Sequence, residues 1–199
     1  MTITAKHVTH TRPTRDLDAA TDAAAGFLAA LGVDLSNEGL HETPARMARA
    51  YAELLTPREF TLTTFDNDEG YDELVIARGI PIRSMCEHHL LPFVGVAHVG
   101  YLPNARILGL SKLARVVEMF AHGTQVQERL TKQIADWLTR ELQPNGVGVV
   151  IDAEHLCMTL RGVQAVGART TTSTMLGALR DDARSRAEFL AAAGIGRPN

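Results

Sequence analysis

Between Leu74 and Thr174 the spacing of the apolar residues changes period and then changes back, and this switch restricts the fold more than any other feature. Leu74-Val75-Ile76 with Ile80-Pro81-Ile82, and then Phe93 to Tyr101, carry the β-branched pattern of two strands. Two helical stretches follow. Ser111 to Phe120 sets Leu113, Val116, Val117 and Phe120 on one face, and Gln125 to Leu142 does the same with Val126, Leu130, Ile134, Trp137 and Leu138. Pro144-Asn145-Gly146 turns the chain into Val147 to Ala153, then a strand-like run from His155 to Val163 and a Thr-rich strand from Arg169 to Thr174. Ala183 to Ala193 closes as a helix. Two strands, two helices and two strands in that order predict antiparallel pairs with helices on one sheet face, an α+β fold.

The residues before this block predict a different organisation. Asp16 to Leu31 is Ala-rich and reads as a helix ending near Gly32, and Thr43-Pro44 is a helix start with Thr as N-cap and Pro at the first position. Met47, Tyr51 and Leu54 continue that helix towards Pro57. The expected division is a flexible tail over 1–15, a helical extension over 16–58 and the main α+β domain over 59–199. Within the last of these, Glu59 to Tyr71 with its Asp66-Asn67-Asp68-Glu69-Gly70 run reads as an acidic connector.

The formal charge of -3 argues against nucleic acid as the main partner, and no apolar run is long enough to cross a bilayer. Residues 1–15 have no apolar core of the kind a secretory signal needs. With only two cysteines, Cys86 and Cys157, an intracellular, cytoplasmic setting is expected. Counting alone leaves three readings of that pair: inert buried thiols, a long-range disulfide, or two ligands of one metal.

Their neighbours favour the metal. Cys86 and His89 are spaced so that one turn presents both to a single ion. His155 and Cys157, read on one strand, point to the same face. Two thiolates and one imidazole form a soft donor set suited to zinc, and three protein ligands leave a position for a water. Zinc lowers the pKa of such a water towards about 7. His88 and His155 then remain beside the metal as proton carriers. Lys112 and Arg115 share a face at a helix start, which by itself reads as a solvated helix end or as a favourable place for phosphate, and Arg161 follows Cys157 at the same-face spacing of a strand. Glu128 could grip the N–H edge of a guanine or simply pair with Lys132 along its helix; the residues alone do not choose.

The segments Cys86-Glu87-His88-His89, GLSKLAR, QVQERLT and HLCMTLRGV, in this order and spacing, resemble the GTP cyclohydrolase I family over about Glu38 to Leu190. The resemblance implies a tunnelling fold, in which a four-stranded antiparallel sheet carries two long helices on one face. It also implies a ring-forming homo-oligomer, usually a decamer, with sites where subunits meet. Carried over by motif, Cys86, His89 and Cys157 ligate one zinc per subunit, and His88 and His155 handle protons. Lys112, Arg115 and Arg161 hold the triphosphate, Glu128 with Gln127 anchors the guanine, and Ser111 serves the ribose. GTP and water would be the substrates, with neither nucleic acid nor membrane as partner. The products would be formate and 7,8-dihydroneopterin triphosphate, at the entry to tetrahydrofolate and pterin biosynthesis. The chain departs from the family pattern at His122-Gly123-Thr124, where a helix break is expected, and at Ala168. Related tunnelling-fold enzymes with a histidine-only zinc site or a cysteine nucleophile fit the donor set less well. A structural-zinc module would close the fourth position.

Overall fold

The computed structural model describes residues 2–8 and 14–195, and the chain forms two compact units, His10–Thr56 and Met1–Thr9 with Pro57–Asn199. The smaller unit holds α1 (Leu17–Ala30) and α2 (Thr43–Leu54). The Asp16 carboxylate caps α1 by accepting from the Ala19 N–H at 2.9 Å. Pro44 sits in the first turn of α2, where its missing N–H leaves no helical bond unmade. Thr43 lies inside that helix, and Glu42 takes the N-cap position expected for it. The Arg15 guanidinium, just ahead of the Asp16 cap, donates to Ala52 O and Leu55 O, both at 2.8 Å, and so joins the approach to α1 to the end of α2.

The larger unit contains two sheets. In the smaller, β1 (Ile3–Val8) pairs antiparallel with β2 (Phe60–Asp66). The main sheet begins with β3 (Val75–Cys86) and β4 (Pro92–Leu102). The short β5 (Arg106–Leu108) returns to the other side of β2. Next come α3 (Leu110–Ala121), the two-residue β6 (Thr124–Gln125) and α4 (Gln127–Leu142). The chain ends with β7 (Gly146–His155), the helical turn α5 (Leu156–Thr159), β8 (Thr170–Gly177), α6 (Ala178–Asp181) and α7 (Ala183–Ala193). The main sheet runs β6-β3-β4-β7-β8, with β6 parallel to β3 and every other pairing antiparallel.

Alternation along the strands sorts the two faces. Phe93, Ala97, Val99 and Tyr101 of β4 with Val147, Val149, Ile151 and Ala153 of β7 form one core with Leu113, Val116 and Val117 of α3 and Leu130, Ile134 and Leu138 of α4. Val150 points the other way, to Leu179 and to Phe189 of α7. The Phe189 ring rests on Gly100 and Gly148, which are register partners across β4 and β7. A Cβ on either glycine would stand 2.9–3.0 Å from that ring. Among the described residues, no helix is long and apolar enough to cross a membrane.

The structure corrects four further expectations of the fold. Ile3–Val8, expected within a flexible tail, is a strand because β2 offers it an open edge; residues 9–13 of that tail lie outside the described residues. The supposed acidic connector begins with β2, whose Phe60, Leu62 and Thr64 alternate inward before the acidic turn. The four antiparallel strands of the expected sheet are extended by β6 and accompanied by the separate β1-β2-β5 sheet. The strand expected to run from His155 to Val163 stops at His155, and the chain turns helically through α5.

Candidate active site

Strand β3 ends in the turn that carries the first two candidate ligands. The Cys86 N–H donates to Leu91 O at 2.9 Å, and Cys86 O accepts from Leu90 N–H at 2.8 Å and His89 N–H at 3.3 Å. Leu90 adopts φ +51, a left-handed conformation uncommon for a side chain of its size, and so lets the chain reverse directly into β4. The break at His122-Gly123-Thr124 serves the same turn. There α3 stops at Ala121, Gly123 takes φ +148, and the chain becomes β6. Gly123 O accepts from Met85 N–H at 3.3 Å and Gln125 O from Glu87 N–H at 3.0 Å. The ligand turn is thereby fastened to the start of α4.

Cys157 arrives from α5. The ligand atoms of Cys86, His89 and Cys157 all lie within 4.8 Å of one another, with both thiols buried and His89 exposed. Burial, and then the adjacent Cys86 sulfur, push the Cys157 thiol above its ordinary range, while Arg161 pulls weakly the other way. Two sulfurs this close cannot both carry negative charge without a cation between them, so the donor set fits a soft divalent metal.

His88 follows Cys86 with Nδ1 3.9 Å from the sulfur, and its ring meets that of His89 edge-on at 6.3 Å. His155, the last residue of β7, stacks on Phe93 with ring centroids 4.6 Å apart. Its Nε2 lies 2.8 Å from Gln127 Oε1. Burial lowers its pKa from the ordinary value, with the Glu128 carboxylate acting in the opposite direction. His88 thus lies beside the Cys86 sulfur, while His155 ends β7 two residues before Cys157.

The remaining candidates divide. Glu128 is exposed in the first turn of α4, and Lys132, its alternative partner along the helix, binds Asp136 at 2.6–2.8 Å instead. Ser111 and Lys112 occupy the first turn of α3, which has no side-chain cap. Arg115 binds Glu118 at 2.9 Å, and Glu118 also holds Arg58 at 3.1 Å. Arg161 is not on a strand with Cys157. It follows the helical turn, and its Nη1 donates to Cys157 O at 3.0 Å.

Gln127 departs most from expectation. Placed beside Glu128 as a guanine contact, it is in fact 1% exposed and turned into the sheet. Sequence reasoning also missed Arg129, which holds Glu87 of the ligand turn and donates to Gln125 Oε1 at 2.9 Å and Thr124 O at 3.1 Å.

The family model described as GTP cyclohydrolase I matches residues 20–194. GTP cyclohydrolase 1 of Rattus norvegicus is 52% identical over 172 residues, covering 84% of this chain and 71% of that protein. The protein of the same name from Aquifex aeolicus is 51% identical over 164 residues, covering 82% and 89%. That of Corynebacterium glutamicum is 53% identical over 180 residues, covering 87% and 91%. Matches of this extent take in the ligand turn, the start of α4 and α5 together, and the chain belongs to the GTP cyclohydrolase I family.

Proposed function

We propose that this chain opens the imidazole ring of GTP by hydrolysis, releases formate and yields 7,8-dihydroneopterin triphosphate. The observation that carries this reading is the convergence of two thiols and one imidazole within 4.8 Å, with His88 beside the Cys86 sulfur. Cys86, His89 and Cys157 would hold zinc, which when bound supplies the Lewis acidity that makes water nucleophilic at neutral pH.

The chain's own groups do the rest. The exposed Glu128 carboxylate accepts the ring N–H and 2-amino hydrogens of guanine, two parallel bonds that only this base edge offers. Lys112, at the amino end of α3, meets the triphosphate with Arg115 and Arg161. Arg115 must exchange its Glu118 partner for phosphate to do so. His155, held against Phe93, returns a proton to the ring nitrogen as the C–N bond breaks. His88 and Ser111 serve the later opening and rearrangement of the ribose. Two buried free thiols suit a reducing, cytoplasmic setting.

A homo-oligomer, a decamer by the family's habit, is supported by the edges of the main sheet. Among the described residues β8 pairs only with β7, so its other edge has no strand partner.

The test is to incubate the zinc-loaded protein with GTP and follow formate release and neopterin fluorescence after oxidation. Cys86→Ser and Cys157→Ser should lose metal by elemental analysis together with turnover. Full zinc retention by both variants would defeat the ligand assignment, and no formate from GTP would defeat the activity.

A further inference from the structure

Gln127 was expected at the substrate, yet every polar atom of its side chain is committed inside the protein. The amide Nε2 donates to Thr170 O at 2.8 Å and Ile151 O at 3.1 Å, and lies 3.2 Å from Thr172 Oγ1. The hydroxyls around it have settled roles. Thr131 Oγ1 donates to Gln127 O at 2.7 Å. The 2.6 Å contact between the two threonines then requires Thr172 to donate to Thr131, which leaves Thr172 Oγ1 as an acceptor.

Three acceptors surround one end of the amide, so that end is the NH2. Turning the amide over would set Oε1 against two carbonyl oxygens. Its oxygen therefore faces His155 Nε2 at 2.8 Å, and an amide oxygen can only accept.

From this network we infer that Gln127 is a positioning residue that fixes the tautomer of His155. The neutral imidazole carries its hydrogen on Nε2 and presents Nδ1 as the lone-pair nitrogen. Phe93, stacked at an interplanar angle of 9°, holds the ring plane while Gln127 fixes its rotation. A proton that His155 takes up and returns to the substrate passes through Nδ1, and the Nε2–H stays on Gln127 throughout. One nitrogen is spent on alignment so that the other meets the reacting atom in a single orientation.

This inference rests on the acid–base reading of His155, and the experiment separates the two. Zinc-loaded protein labelled with 15N-histidine is examined by two-bond 1H–15N correlation at about pH 8, above the ordinary imidazole pKa. The His155 signals are assigned by their loss in His155→Ala. The expected pattern is the Nε2–H tautomer, and an Nδ1–H pattern in the parent protein overturns the inference with no variant needed.

Kinetics give the second arm. Gln127→Met should lower kcat roughly 10–100-fold, the range typical of lost support to a working histidine, with KM changed less than about twofold. Gln127→Glu keeps an acceptor at His155 but sets a carboxylate against two carbonyls. It should therefore fold less stably than the Met variant yet retain several-fold more kcat. A purely packing role predicts the reverse order of kcat, and that order, or parental kcat in Gln127→Met, would refute the positioning role. If His155→Ala itself turns over like the parent, it is the acid–base reading that fails.

Discussion

Gly148→Ala tests the packing of α7 on the sheet. The new Cβ would lie 2.9 Å from Cε1 and Cζ of Phe189 and 3.0 Å from Cδ1. Ordinary carbon contacts begin at about 3.5 Å, so the ring must retreat by roughly half an ångström or more. Phe189 has no exposed surface and cannot swing out. Overpacking of this kind costs about 1–3 kcal/mol, which for a chain of this length lowers Tm by roughly 2–4 °C per kcal/mol. Phe189→Ala alone should cost about 3–5 kcal/mol. In that background the added methyl enters vacated space, and Gly148→Ala should become nearly neutral. The assay is urea unfolding read by the single Trp137, which is buried in α4 on the opposite face of the sheet. A coupling of at least about 1 kcal/mol between the two substitutions is expected. Additivity within about 0.5 kcal/mol, the behaviour of independent sites, would refute the reasoning.

Three further outcomes are expected. Glu128→Ala should erode the preference for GTP over ITP, because ITP lacks the 2-amino group; equal weakening of both nucleotides would exclude the guanine contact. Mixed refolding of weakened Glu128→Ala chains with inactive Cys157→Ser chains should give more GTP turnover than either variant alone if one site draws on neighbouring subunits, and a fully active monomer in light scattering would remove that proposal. Burial, then the nearby Arg78, lowers the pKa of His98, against an opposing pull from Asp152. The unfolded chain then binds more protons at this position, so stability should fall as pH drops through about 6.5. His98→Gln should flatten that part of the urea-stability profile, and an unchanged profile would dismiss the role.

How far these sites could be seen beforehand depended on how local their causes were. Helices α3 and α4 were legible because each buries one stripe at helical spacing, and the long strands because runs of β-branched residues bounded by turns mark them. Cys86, His89 and Cys157 stood out because thiol and imidazole side chains are scarce enough here for their spacing to carry meaning. Strand β2 was obscured by the Asp and Glu residues that follow it. The end of β7 was hidden because Leu156-Cys157-Met158 continues the apolar run and nothing local marks the change from strand to helical turn. The direction of the Gln127 amide was beyond any local reading. Its acceptors Ile151, Thr170 and Thr172 come from two strands far along the chain, and only the assembled sheet brings them together.

The placement of the three candidate ligands predicts an order of events during folding. Cys86 and His89 sit in the turn between β3 and β4, so forming that one hairpin positions both, at the small entropic cost of closing a short loop. Cys157 follows β7, which can dock on β4 only after α3 and α4 have been laid down between them in the chain. A nascent chain therefore exposes a two-ligand half-site well before the third ligand exists near it. Metal captured at that stage would be weakly held and exchangeable, and docking of β7 would lock it in. Trapping of a metal should accordingly track a late, long-range folding step, and a metal-release rate that rises with exposure of the β4–β7 pairing in hydrogen exchange would be its signature.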